Sequence, residues 1–339
     1  MPVQWVVSIG RHCGIPDNTV VSDGVHLLVP FAACSSAECA PALAGLSLPH
    51  LRRLAQRLAV EATDAGDPAS LSPPHERALA RAYGLAVEDG LVPLAALQAG
   101  QAGQARDDGS GWAWIHPAHW RVGMDHIVMA HPRDLQLEAQ DAQALLEAMR
   151  PWFAEDGITL AYDTPSRWLA RGDIFRSLPT ASLDRVAGRR VERWLPAGAA
   201  GAPVRRLQQE MQMLLYTLPL NDARQRGGLL PVNSFWVSGS GALPAQAGGH
   251  SVPGLQVASG LRDAALLGDW PAWAAAWQQL DTHDCARLLD ELAKGRTVRL
   301  TLCGEAGART WSSTAPRGGW RRLARFLAAP TAASLLEGL

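Results

Sequence analysis

The side chains best equipped for chemistry are gathered between Leu218 and Pro244. Asn221 and Arg224 follow Pro219, and Asn233, Trp236, Gly239 and Gly241 follow Pro231. A guanidinium grips carboxylate or phosphate oxygens bidentately, and an amide side chain donates to the same oxygens. Asn233, Phe235 and Val237 alternate with Ser234, Trp236 and Ser238, which predicts a short strand. Gly239-Ser240-Gly241 would end it, and glycines there allow positive φ and let a ligand approach the backbone. The end of a strand is where open α/β sheets place ligands. A tight turn after a buried strand is the competing reading.

A second group is basic. Arg185, Arg189, Arg190 and Arg193 fall within ten residues. Arg185 and Arg189 are candidates for an anionic ligand, whereas Arg190 and Arg193 suit a solvated helix face. Trp112 to His131 is the densest histidine and aromatic segment. His126 is its best acid/base or anion-contact candidate, because imidazole titrates near neutrality. As a metal site, the segment offers His116, His119, Asp125 and His126, but their spacing fits no established zinc motif. Asp281, His283 and Asp284 extend the same alternative, in which manganese or zinc would bind. On the main reading no cofactor is expected.

These groups need elements to hold them. Leu51, Leu54, Ala55, Leu58, Ala59 and Ala62 recur at helical spacing. Ser72-Pro73-Pro74 opens a helix over 75–82. Leu135, Ala139, Ala142, Leu146 and Met149 share one helical face, and Pro151 should end or kink that helix. Further helices are expected over 184–193, 207–218, 262–267, 285–293 and 320–327. Strands are expected over 25–33, 158–162, 255–258 and 296–303. Trp270, Trp273 and Trp277, at helical spacing, read as core or interface. Residues 98–111 are small, polar and glycine-rich, which places a domain boundary there.

Composition narrows the function classes. The chain has 339 residues, 47% of them hydrophobic and 19% charged, a globular balance. A formal net charge of −1 excludes a general affinity for nucleic acid or anionic membrane. Lys294 is the only lysine, so any catalytic amine must be that residue. No stretch reaches the length of a transmembrane span, and no signal peptide is evident, so cytoplasm is the expected compartment. The five cysteines form no metal spacing; Cys34 and Cys39 read as small buried thiols rather than a redox pair. Residues 1–24 are expected to be a disordered tail, from an overextended start site.

The order of these segments resembles the archaeal-type cofactor-independent phosphoglycerate mutases of the alkaline phosphatase superfamily. The resemblance rests on Leu218-Pro-Leu-Asn221-Asp-Ala-Arg224, then Pro231-Val-Asn233-Ser-Phe-Trp236-Val-Ser-Gly239-Ser-Gly241, then Pro244. Residues 179–196, 135–162 and 25–59 are similar to other family segments, and the central block is the sharpest part. The chain is also identified as a degenerate proteobacterial branch of that family, of the RpfE regulatory type. The resemblance implies an alkaline-phosphatase-like α/β fold with a mostly parallel sheet sandwiched by helices. It implies a discontinuous core, 25–95 and 244–339, and an inserted smaller α/β domain, 108–243.

Departures from the family pattern fall on its metal chemistry. Pro30 stands where the family carries a metal-binding aspartate, and the strand ending at Cys303 runs into Gly304-Glu305-Ala306-Gly307 in place of an Asp-His pair. Only Ser35 and Ser36 lie near the place of the nucleophile. Two-metal phosphoryl transfer needs both ions, so the resemblance implies a fold that has lost this site and acts in regulation. The expected ligand is a small phosphorylated or carboxylate metabolite, held by Asn221, Arg224, Asn233, Trp236, Gly239, Gly241, Arg185, Arg189 and His126. An active phosphomutase or phosphatase with rearranged ligands is one alternative. A scaffold that docks another protein through the Trp270–Trp277 face is the other.

Overall fold

A computed structural model describes residues 24–86, 88–104, 109–244, 251–315 and 331–339. The expected 1–24 tail, Gly24 apart, and the arginine-bearing 320–327 helix lie outside the described residues. The first chain segment holds β1 (Gly24–Val29), α1 (Ala40–Ala44), α2 (Pro49–Arg57) and β2 (Ala59–Asp64). The middle segment opens with α3 (Pro74–Ala82), α4 (Leu94–Gln101), β3 (Trp112–Ala118), β4 (Trp120–Val122) and β5 (Ile127–Met129). It continues with α5 (Ala139–Glu155), β6 (Thr159–Thr164), β7 (Arg167–Arg171), α6 (Leu183–Val186), α7 (Gly198–Tyr216), α8 (Pro219–Arg226) and β8 (Ser234–Gly241). The last holds β9 (Leu255–Val257), α9 (Arg262–Leu267), α10 (Trp270–Leu280), α11 (Ala286–Ala293), β10 (Thr297–Cys303), β11 (Ala308–Ser312) and α12 (Ala332–Leu336).

The chain divides into two compact units, Met1–Pro68 with Val252–Leu339, and Ala69–Ser251. The division falls at Pro68/Ala69 and Ser251/Val252, not in the glycine-rich 98–111 stretch or at 243/244. The reason is apolar: Leu94, Ala95 and Leu97 of α4 share a buried cluster with Trp112 and Trp114 of β3, so the polar run between them does not separate domains.

The first unit is built on a sheet of order β2-β11-β10-β1-β9. β1 pairs in parallel with β10 and β9, while β11 runs antiparallel to both β10 and β2. All strands but β11 therefore point the same way, and the sheet is mostly parallel. β11 reverses because it follows β10 through the tight Gly304–Gly307 turn, closed by a 2.9 Å backbone bond. Val25, Leu27, Val29, Val298, Leu300 and Leu302 turn one face of the sheet toward α2, α10, α11 and α12 in a single buried cluster. Among the described residues, that cluster gathers this unit's helices on one face, where the expectation was helices on both. The other face carries polar residues: the His26 ring and Thr301 hydroxyl are 2.8 Å apart, and Thr301 meets Thr310 at 2.9 Å.

Trp273 and Trp277 are fully buried and Trp270 packs partly buried against the same cluster, so these side chains are core. Their indole N–H groups donate to the carbonyls of Phe31 and Ala32, at 2.9 and 3.1 Å. β1 stops at Val29 rather than Ala33 because Pro30 offers no N–H to the ladder. Cys34 and Cys39 are joined by a disulfide, with Cα atoms 6.3 Å apart; they are not the separate thiols expected.

The second unit carries a wholly antiparallel sheet of order β6-β7-β3-β8, beside a β4–β5 hairpin. β3 is buried along its whole length. Ala113 and Ile115 pack with α5 and α7; Trp112 and Trp114 face α4. α5 passes through Pro151 and ends at Glu155, because Met149 and Phe153 on either side of the proline are both fully buried and hold the last turn in place. The helix expected over 184–193 is only Leu183–Val186; Gly188, at φ +73°, turns the chain away.

Candidate functional site

The 218–241 block is a set of latches within the second unit. Asn221 donates from Nδ2 to the carbonyls of Leu215 and Val232, at 2.8 and 2.7 Å, and accepts at Oδ1 from the Val232 N–H at 2.8 Å. Its amide thus ties the approach to β8 onto the α7–α8 junction. Arg224 is 3% exposed. It donates from Nε to the Leu230 carbonyl at 3.1 Å, from Nη1 to Asp141 at 2.8 Å, and from Nη2 to the Leu135 carbonyl. Asn233 accepts from the Trp120 N–H at 2.7 Å and donates to its carbonyl at 2.9 Å, so its side chain acts as one rung of a strand pair. Trp236 is buried and donates from Nε1 to the Ala181 carbonyl.

The expected Gly239-Ser240-Gly241 loop is instead a buried piece of β8. Gly239 has φ +62°, and a Cβ there would lie 2.7 Å from the Trp114 ring; at Gly241, φ +144°, it would lie 2.8 Å from Pro93 Cβ. Both glycines make room for protein, not for a ligand. Each part of the block therefore has a packing reason that is independent of catalysis.

The histidine and aspartate candidates are likewise placed by local bonds. Asp281 is 2% exposed. Its Oδ1 accepts from the Leu51 N–H at 2.7 Å, and its Oδ2 meets the His50 N–H and ring Nδ1 at 3.2 and 3.0 Å. It satisfies N–H groups that the first turn of α2 leaves unpaired. A π-helical turn, Asp281–Cys285, between α10 and α11 carries it there. His283 contacts the Gln279 carbonyl and Asp284 pairs with Arg287. His116 lies between the Ser166 carbonyl and the Ser238 hydroxyl. His119 meets the Pro231 carbonyl at 2.8 Å, and burial lowers its pKa despite that bond. His126 pairs at 2.6 Å with exposed Asp125 at the hairpin tip. Among the described residues, no three His, Cys, Asp or Glu side chains come together to hold a metal ion.

The arrangement with chemical potential lies elsewhere in the second unit, where the start of α3 meets α6. Arg77 Nη1 and Arg185 Nη2 both donate to one hydroxyl, Ser70 Oγ, each at 3.1 Å. Arg77 Nη1 also donates to the Ser72 carbonyl at 2.6 Å. Asp89 fixes the turn by accepting from the Leu71 and Ser72 N–H groups at 3.0 and 2.9 Å. Ser182 caps α6 by accepting from the Asp184 N–H, and donates at 2.6 Å to Glu76 Oε1. His75 Nε2 lies 3.2 Å from Asp184 Oδ2. Ser70 and His75 form a partly exposed rim over buried Arg77, Asp184 and Arg185, and Glu76, partly exposed as a residue, buries its carboxyl against Ser182.

Electrostatics separates the members of this cluster. Burial pushes the Glu76 carboxyl up to about 7; His75, the Ser182 hydrogen bond and Arg185 pull it down, and Asp184 adds to the rise. A carboxyl poised near neutrality exchanges protons efficiently in general acid–base steps. Burial lowers the Arg185 pKa; Glu76 opposes this, and Arg77 and Arg189 reinforce it. The two guanidiniums repel one another, and Glu76 and Asp89 offset that repulsion at Arg185.

No protein-family model matches the chain, and no curated protein matches it. Among solved structures, the cofactor-independent phosphoglycerate mutase of Thermoplasma acidophilum is similar at 13% identity and a TM-score of 0.35, over 85% of this chain and 89% of that one. The PH0037 protein of Pyrococcus horikoshii is similar at 10% identity and a TM-score of 0.46, over 87% and 88%.

Of the residues expected to meet a ligand, Arg185 alone belongs to the cluster as a direct member. Arg189 is exposed on the turn after α6 and acts on Arg185 through its charge. Ser70, His75, Glu76, Arg77 and Asp184 were not expected. Their signal was present as the polar run His75-Glu76-Arg77 directly after Ser70-Leu-Ser-Pro-Pro. A helix start rich in polar groups has an ordinary capping explanation, and nothing local tells that 70–77 and 182–185 meet in one cluster.

Proposed function

We propose that this chain is a phosphoglycerate-mutase-like protein that binds a small phosphorylated or carboxylate metabolite in its second unit and acts without two-metal phosphoryl transfer. Arg77 and Arg185 hold the anion, Ser70 orients them through its hydroxyl oxygen while donating to the Ser72 carbonyl, and Glu76 carries the proton that adjusts the charge of the site. The observation that carries this reading is the convergence of two buried guanidiniums on Ser70 Oγ beside a carboxyl raised to about 7. The residues of 218–241 that carry the resemblance serve packing, and a fold outlasts its chemistry. A regulatory role follows if ligand occupancy is the output.

The test is calorimetric binding of 3-phosphoglycerate and of inorganic phosphate to chelator-treated protein and to its Arg185→Gln variant. Saturable binding that weakens tenfold or more in Arg185→Gln is expected, the scale of one charge-assisted bond. Binding that Arg185→Gln leaves unchanged would move the ligand away from this cluster, and absence of binding for both anions would remove the reading.

A further inference from the structure

The first unit contains a separate chemical feature, independent of the anion site. β1 ends at Val29, and the chain enters a strained turn in which Phe31, a non-glycine residue, has φ +56°. That turn is anchored. Trp273 and Trp277 bond the Phe31 and Ala32 carbonyls, and the Ala32 N–H donates to the Cys303 carbonyl at 2.7 Å. Directly after the anchor, the Cys34–Cys39 disulfide closes a ring over a sequence separation of 5. Inside the ring, exposed Ser35 donates to the Glu305 carboxylate, which lies in the β10–β11 turn.

Three observations set this disulfide apart from a structural staple. A ring this short removes little freedom from the unfolded chain, so it contributes less to global stability than a long-range bridge. Its two sulfurs are unequally placed: Cys34 is partly exposed and Cys39 is fully buried. An incoming thiolate therefore reaches Cys34 first, and Cys39 is the leaving group. Cys285 and Cys303, the other described cysteines, are buried thiols, and burial drives the Cys285 thiol far above its ordinary range, so it does not compete.

We propose that Cys34–Cys39 is a thiol–disulfide exchange site that takes electrons from a dithiol reductant and, when open, frees the Ser35 loop from Glu305. One thiolate of the reductant attacks Cys34 Sγ, the Sγ–Sγ bond breaks, and Cys39 leaves as a thiolate that takes up a proton. The reductant's second thiolate then attacks its own sulfur in the mixed disulfide and releases Cys34. The balance is two electrons and two protons gained by the protein, with the dithiol oxidised to a cyclic disulfide.

The experiment uses the full chain, isolated without reductant and titrated with dithiothreitol under native conditions. Samples are quenched with maleimide, mapped by mass spectrometry, and followed in parallel by amide hydrogen exchange. The expected result is a linked Cys34–Cys39 peptide that opens at least 100-fold faster than global unfolding, while Cys285 and Cys303 stay unlabelled. Amide exchange should rise tenfold or more over 33–39 and 304–307 and stay unchanged in the sheet. In Cys39→Ser, oxidised glutathione should form a mixed disulfide on Cys34. Labelling of both cysteines before any reductant is added would overturn the proposal, and so would reduction that proceeds only at the rate of global unfolding. Both of those outcomes are read on the unsubstituted chain, so they hold even if Cys39→Ser does not fold.

Discussion

Glutamine at position 76 removes the ionisable group while keeping the oxygen that accepts from Ser182. In the folded chain the carboxyl titrates near 7, against an ordinary 4.5, chiefly because burial penalises its charged form. A raised carboxyl pKa means that the folded state holds the proton more tightly than the unfolded state. Stability is therefore undiminished below pH 4.5, falls as pH rises from there through 7, and is flat above. At ~1.4 kcal/mol per pH unit, the cost above pH 8 is about 3 kcal/mol. Glu76→Gln lacks that cost. The variant should match the parent chain at pH 4.5 and exceed it by about 3 kcal/mol at pH 8.5, which for a unit of this size raises Tm by roughly 6–12 °C. Thermal melts of both proteins at half-unit pH steps measure the difference directly. A gap that does not change with pH, or one that grows toward acid, would refute the assignment of a desolvated carboxyl.

The other predictions concern residues placed by packing. Burial lowers the His26 pKa to about 4, so the unfolded chain takes up a proton near 6.5 before the folded chain does. The first unit should lose about 3 kcal/mol between pH 6.5 and 4, a slope absent in His26→Gln by urea denaturation; an equal slope in the variant would remove the explanation. Arg224→Ala leaves Asp141 and two carbonyls without their donor and should cost about 3 kcal/mol of stability. Its phosphate affinity should be unchanged at temperatures where it is folded; a selective loss of affinity would restore Arg224 to the ligand site. Asp281→Ala should cost about 1–2 kcal/mol by uncapping α2, seen as faster amide exchange in Leu51 to Leu54, and unaltered exchange would contradict the cap.

The α2 stripe as far as Leu58 and the buried tryptophans of α10 were legible in the sequence because their apolar periodicity reports which face is covered. Ala59 and Ala62, read as part of the same helix, lie instead in strand β2, and β8, read as a strand from its alternation, is buried on both faces. The mostly parallel sheet of the first unit was expected only through the family resemblance; Leu27, Leu28 and Val29 of its β1 strand are buried on both faces, as a parallel-sheet strand is. The antiparallel sheet of the second unit was not legible, since strand direction depends on partners distant in sequence. Asn221 and Arg224 illustrate the limit most directly. A polar residue that satisfies buried carbonyls and one that binds a ligand have the same letter, and only the acceptors around them tell the two apart. The same limit hid Glu76: its chemistry comes from burial and from Ser182, 106 residues away.

The most direct test of the anion site is proton linkage. Sulfate is a dianion with no titration of its own near neutrality, so any proton taken up on binding belongs to the protein. Calorimetry of sulfate binding at pH 7, in buffers of different ionisation enthalpy, should show uptake approaching about half a proton, because an anion beside Glu76 favours its neutral form. The uptake should vanish in Glu76→Gln while binding remains. Sulfate binding with no uptake, or with equal uptake in Glu76→Gln, would contradict a site built from Arg77, Arg185 and Glu76.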